Sequence, residues 1–122
     1  MRRVVVFAGL SGAVMVGMGA YASHSGGGDE ARAWLETGAQ YGLWHSLALL
    51  GVAAIGARGS SSRWLTLAAI AFVAGIMLFS GTLFVRALSD FDWVSKATPL
   101  GGICFIAGWL LLAAHGATFR RD

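Results

Sequence analysis

Four long apolar runs, almost empty of charge, constrain this chain more than any other feature. They cover residues 4–22, 42–57, 64–85 and 97–114. The first, third and fourth contain no Asp, Glu, Lys or Arg, and the second contains only one ionisable side chain, His45. A helix needs about 20 predominantly apolar residues to cross a bilayer. Three runs meet that length, and the second meets it if part of residues 36–41 serves as a helical lead-in. Lipid offers the backbone no hydrogen-bond partner, so a spanning segment must be a helix or part of a closed barrel. Barrel strands alternate polar and apolar residues over about 10 positions, and these runs do not. The expected fold is all-α: an integral membrane four-helix bundle, forming a single domain over residues 1–122.

The composition agrees. Hydrophobic residues make up 57% of the chain and charged residues 12%, against about 25% charged in a typical soluble domain. The mean hydropathy is +0.68. The net charge is +3, but most arginines sit at the ends of apolar runs rather than on a basic stripe. That placement argues for the lipid bilayer as partner and against nucleic acid. The single cysteine, Cys104, lies between Ile103 and Phe105, where it acts as a small apolar residue. It offers no disulfide or thiolate cluster within one chain.

Arg2 and Arg3, an apolar stretch and Ala20-Tyr21-Ala22 together have the outline of a secretory signal. The apolar stretch exceeds the roughly 7–15 residues of a signal core, so a retained helix is expected. Arg2, Arg3, Arg58, Arg63, Arg120 and Arg121 share one side of the bundle, while Arg32, Arg86 and Lys96 share the other with five carboxylates. Basic residues stay in the cytoplasm. This predicts a multi-pass protein of the cell inner (plasma) membrane with both termini inside. In the first external loop, residues 25–28 are expected to form a flexible linker. Residues 29–40 place Ala31, Trp34 and Leu35 on one face, the pattern of a short interfacial helix; an ordered loop is the alternative.

Gly9, Ala13 and Gly17 recur at every fourth position of the first run, and such small-residue stripes let helix backbones approach closely. Gly75, Gly101, Gly102 and Gly108 are candidates for the same role. Ser80, Gly81 and Thr82 interrupt the third run with small and hydroxyl side chains that bond to helix carbonyls. Pro99 suits the first turn of the fourth helix, where its missing N–H costs nothing.

The chemistry-bearing residues gather at the external end: His24, Glu36, Tyr41 and His45, with Arg86, Asp90 and Asp92 nearby. His45 falls about one turn inside the second run, and Tyr41 and His45 are four apart on one helical face. Three arrangements fit them. Buried polar groups demand partners, which favours a structural hydrogen-bond network. The others are a metal or haem site through His24 and His45, and a small-ligand or quinone headgroup site using His and Tyr. Zinc wants more ligands than these. No residue has the pattern of a catalytic or dedicated metal group, and no run carries the midplane carboxylate of small proton-coupled multidrug carriers. His115 belongs to the opposite end.

Four segments carry a resemblance. Gly19-Ala20-Tyr21-Ala22-Ser23-His24 resembles a G-A-x-x-x-H element, and Glu36-Thr37-Gly38-Ala39-Gln40-Tyr41 with His45 resembles E-T-G-x-x-Y-x-x-x-H. Phe79-Ser80-Gly81-Thr82-Leu83 resembles F-S-G-[ST]-L. Thr98-Pro99-Leu100-Gly101-Gly102 with Gly108-Trp109 resembles T-P-x-G-G-x(5)-G-W. In this order and spacing they are similar to the domain-of-unknown-function 423 family of small membrane proteins, whose eukaryotic relatives are called transmembrane protein 256. The resemblance implies four retained helices and points to His24, Glu36, Tyr41, His45, Ser80, Gly81, Thr98, Pro99 and Gly101. It implies no activity, and the Gly-rich stretch after Ser25 departs from the family's first loop. The expected function is non-enzymatic, acting through association as an accessory subunit or homo-oligomer. The alternatives are a quinone-, haem- or metal-binding membrane protein and an oligomeric pore or carrier for a small solute.

Overall fold

A computed structural model describes residues 1–24 and 28–119. Most of the expected 25–28 linker and the Arg120-Arg121 pair lie outside the described residues. Four helices make the fold: α1 (Arg2–His24), α2 (Asp29–Ala57), α3 (Arg63–Leu88) and α4 (Thr98–Thr118). A short 3-10 turn, Asp92–Lys96, leads into α4. No strand occurs among the described residues. Short connections make sequence neighbours antiparallel. α1 packs on α2, α4 packs on α3, and α2 and α3 meet in the middle.

The burial pattern is that of a protein dissolved in lipid. Leu10, Ile103 and Leu110 are 66%, 61% and 66% exposed on the outer surface, a distribution that water would penalise. Trp34 packs against Arg86 at one end and Trp64 against Arg63 at the other, while Trp93 is exposed on the connection before α4. These are the amphipathic rings expected at membrane interfaces. α1, α3 and the segment Asp92–Thr118 are each long and apolar enough to cross. α2 is the least apolar because its first turns carry exposed charged residues, while His45 and Ser46 face inward.

α2 differs from expectation in length. Residues 29–40 do not form a separate interfacial helix; they are the first turns of one continuous 29-residue helix. At 1.5 Å per residue this is about 43 Å, longer than the roughly 30 Å hydrocarbon core. Its first turns, with Asp29, Glu30, Arg32 and Glu36, therefore project beyond that core. Arg32 fastens the projection: its guanidinium donates to the carbonyls of Ala22 (3.0 Å) and Ser23 (3.2 Å). Those carbonyls close α1, where cations are favoured.

α3 is not uniformly α-helical. Ile76–Gly81 form a π-helical turn. Thr82 donates within its own helix to the Leu78 carbonyl at 2.6 Å, and the Thr98 hydroxyl then donates to Thr82 at 2.6 Å. Ser80, fully buried, donates across to the Gly38 carbonyl of α2 at 2.6 Å. Gly101 of α4 lies directly on this turn, where a Cβ would come within 2.7 Å of the Leu78 carbonyl carbon and closer to the Phe79 nitrogen. Two further glycines complete the α3–α4 contact reciprocally: Gly75 receives the Phe105 ring, and Gly108 receives the Phe72 ring.

The small stripe of α1 behaves differently. Gly9, Ala13 and Gly17 are exposed, and a Cβ at either glycine would meet nothing within 4 Å among the described residues. Among the described residues the stripe packs no helix. The buried face of α1 is instead Ala8, Ser11, Met15 and Ala22, with Ser11 and Ser46 sharing a 2.7 Å hydrogen bond to α2.

Candidate functional site

The predicted cluster separates into two parts. His24 closes α1 as an exposed residue. Glu36 is exposed on the projecting turns of α2 and pairs with Arg32 at 3.6 Å. A solvated pair one turn apart contributes only tenths of a kcal/mol. Tyr41 and His45 do come together, deeper in the bundle. Because α2 begins at Asp29, His45 stands about 24 Å along the helix at 1.5 Å per residue, not one turn from its start.

His45 is buried, and each ring nitrogen has a partner. Nδ1 lies 2.6 Å from the Tyr41 carbonyl one turn back, and the Trp109 indole N–H of α4 donates to Nε2 at 3.1 Å. The carbonyl only accepts and the indole only donates, so the pair is satisfied by the neutral imidazole with its proton on Nδ1. The ring also stacks on Phe105 with centroids 3.6 Å apart and planes 10° from parallel. Metal or haem ligation through His45 would forfeit one of these bonds, and His24 belongs to another part of the fold. No group of three or more His, Cys, Asp or Glu able to hold a metal ion occurs among the described residues.

Tyr41 joins this centre to the π-turn. Its ring centroid is 5.0 Å from Trp44 and 5.0 Å from Phe79. The aromatic side chains border a cavity of about 730 Å³ between α2 and α4, floored in part by Gly102. Pro99 stands at its rim in the first turn of α4. Of the residues singled out from sequence, Tyr41, His45, Pro99 and Gly102 thus share one site, while Ser80 and Gly101 hold the adjoining π-turn to α2 and α4 and Gly81 faces the α1 side.

Three partnerships escaped the sequence reading. Trp109 completes His45. Ser11 and Ser46 bridge the first two helices. Ser62, the N-cap of α3, accepts from the Leu65 N–H at 3.3 Å and lies 2.6 Å from His115 Nδ1, so His115 is buried in a helix junction. A signal existed for the first two: a hydroxyl, imidazole or indole N–H in an apolar run needs a partner, whereas Ser62 and His115 lie just outside the runs. Nothing in one helix says which helix supplies it.

Segments far apart in the chain therefore meet in this half of the bundle. Gly38 and Tyr41 touch the π-turn region, Gly101 sits on that turn, and His45 bonds to Trp109. The sequence profile of the family described as "Protein of unknown function (DUF423)" matches residues 18–102, which span most of that meeting place.

The chain belongs to the DUF423 family.

Its similarity to full-length family members is as extensive. It is 33% identical over 123 residues to the UPF0382 inner membrane protein YgdD of Escherichia coli (strain K12), covering 98% of this chain and 93% of the relative. It is 31% identical over 122 residues to the UPF0382 membrane protein YwdK of Bacillus subtilis (strain 168), covering 98% and 99%. A UPF0382 membrane protein of Haemophilus influenzae is 35% identical over 107 residues, 85% of each chain. No solved structure matches the chain. This DUF423 protein is a multi-pass inner membrane protein, and its relatives' names carry no activity to compare with the site.

Proposed function

We propose that the protein acts by association in the membrane, as a homo-oligomer or as an accessory subunit of a larger complex, through the outward face of α1. The observation that carries this reading is the exposure of Gly9, Ala13 and Gly17. Of the other helical glycines, Gly42 is filled by Met15, Gly75 by Phe105 and Gly108 by Phe72, whereas Gly51 and Gly116 stand singly in open space rather than in a stripe. Between lipid and protein there is no hydrophobic driving force, so helices associate where small residues let backbones touch. A small stripe turned to lipid has that property, and no helix among the described residues uses it.

Ala13→Leu tests the reading. The substitution adds a branched side chain to an exposed position, so the melting temperature of the isolated chain is expected to stay within a few degrees. Self-association, measured by analytical ultracentrifugation in mild detergent, is expected to weaken about tenfold, or about 1.4 kcal/mol. If no self-association occurs, loss of a co-purifying membrane protein becomes the readout. Unchanged assembly in the variant would overturn the role of this face.

We further propose that residues 1–122 act as one four-helix membrane domain with both termini in the cytoplasm. What supports this is the distribution of six basic residues on one side and three on the other, together with the positive-inside rule. A reporter fused after Asp122 is expected to be active only as a cytoplasmic protein, and one inserted at Gly26–Gly28 only as an external one. The reverse pattern would invert the topology.

A further inference from the structure

We propose that the cavity between α2 and α4 is a binding site for a lipid-soluble quinone, with the flat ring held among Tyr41, Trp44, Phe79, Phe105 and Trp109. This goes beyond association and uses a different face of the protein. At about 730 Å³ the cavity falls within the roughly 300–1,000 Å³ of small-molecule sites. It runs between two membrane-spanning helices from the first turn of α4, at Pro99, to the middle turns that carry His45 and Trp109. A molecule at that depth must be soluble in the bilayer interior. Its lining holds no Lys or Arg among the described residues, so a phosphate or other charged headgroup would enter without a partner and at high cost.

The walls then narrow the chemistry. Tyr41, Trp44, Phe79 and Phe105 present ring surfaces at several inclinations, with Tyr41 within 6.4 Å of each of the other three. Electron-rich indole and phenol faces favour a flat, electron-poor ring over a saturated chain. Acceptors on the wall are already used: His45 Nε2 takes the Trp109 N–H, and the Tyr41 carbonyl faces His45 Nδ1. The polar groups left are the Tyr41 hydroxyl and the Trp44 indole N–H, neither hydrogen-bonded among the described residues. The indole can only donate. A matching ligand therefore offers acceptors at the edge of a flat ring, which is what the carbonyl oxygens of a quinone are. A hydrocarbon tail has an outlet along the exposed Ile103 and Ile106 at the rim.

The test is native mass spectrometry of the full chain in mild detergent, titrated with a fully ring-substituted decyl benzoquinone. Full substitution prevents addition of the Cys104 thiol to the ring. Decylbenzene, with the same tail and no carbonyls, is the comparison. A saturable adduct of one quinone per chain is expected, half-formed at about one-tenth the concentration that decylbenzene needs. Tyr41→Phe is expected to weaken it about fivefold. Ile103→Trp, which fills the cavity from an exposed position, is expected to weaken it more than tenfold. Ile106→Trp serves if that variant does not fold. No saturable adduct, equal uptake of decylbenzene, or an adduct unaffected by the filling variant would each overturn the proposal. The same spectra count protein copies separately, so failure here is distinguishable from failure of the association reading.

Discussion

Gly101→Ala is expected to destabilise the purified protein by about 2–3 kcal/mol, a large effect for one methyl group. The added carbon would overlap the backbone of the π-turn at Leu78 and Phe79, and backbone cannot rotate aside as a flexible side chain can. To relieve the overlap α4 must move off α3. That movement would also stretch the Thr82–Thr98 hydrogen bond and draw Phe105 and Phe72 out of the facing glycine notches. The measurement is reversible unfolding by denaturing detergent in mixed micelles. Gly9→Ala is the matched control, with nothing within 4 Å of its new methyl. It is expected to be neutral or to stabilise by up to about 1 kcal/mol, because alanine is the better helix former. Equal effects at the two positions would mean that α4 does not rest on the π-turn.

The second large effect is expected at His45. His45→Ala removes a ring stacked at 3.6 Å on Phe105, leaves the Trp109 N–H without its acceptor, and opens a cavity beside Phe72. Large-to-small core changes cost about 2–5 kcal/mol, and hydrogen bonds between membrane helices add about 0.6–2. A loss of about 3 kcal/mol is expected. His45→Phe keeps the stack and loses only the polar contacts, so about 1 kcal/mol is expected. A double-mutant cycle with Trp109→Phe isolates the link between α2 and α4, with an expected coupling of about 1 kcal/mol. Absence of coupling would show that the imidazole and indole do not bond in the folded protein. The result also bears on the quinone proposal. A structural His45 holds the cavity wall in shape, and ligand recognition falls to Tyr41 and Trp44.

The family's motifs acquire a physical meaning in this geometry. Gly38 in the E-T-G segment lets α2 come close to α3, and its carbonyl receives the Ser80 hydroxyl of the F-S-G segment. Gly101 of the T-P-x-G-G segment sits on the turn that follows Ile76. Thr98, at the start of the same segment, bonds to Thr82. His24 and Glu36 do not join this junction. They lie where α1 ends and α2 projects, and it is Arg32 that ties the two helices there.

The sequence by itself determined how many helices the chain forms, roughly where they lie, and that lipid is their solvent, because apolar length and missing charge are properties of each segment alone. The small stripe on α1, the start of α4 at Thr98-Pro99 and the shared face of Tyr41 and His45 were legible for the same reason: each is a matter of spacing within one helix. The true start of α2 was not, since residues 29–40 are polar enough for a loop and are held helical by continuity with the packed segment beyond them. Nor was the π-turn, against which Gly101 packs from a segment some 20 residues away. Most of all, the tertiary structure alone decided which faces turn inward. In water an apolar face announces the core; in lipid both faces of a helix are apolar and that signal disappears. Burial is then set by which glycine meets which ring and which donor finds which acceptor. That is why the stripe of Gly9, Ala13 and Gly17 ended outside, and why the partner of His45 proved to be Trp109.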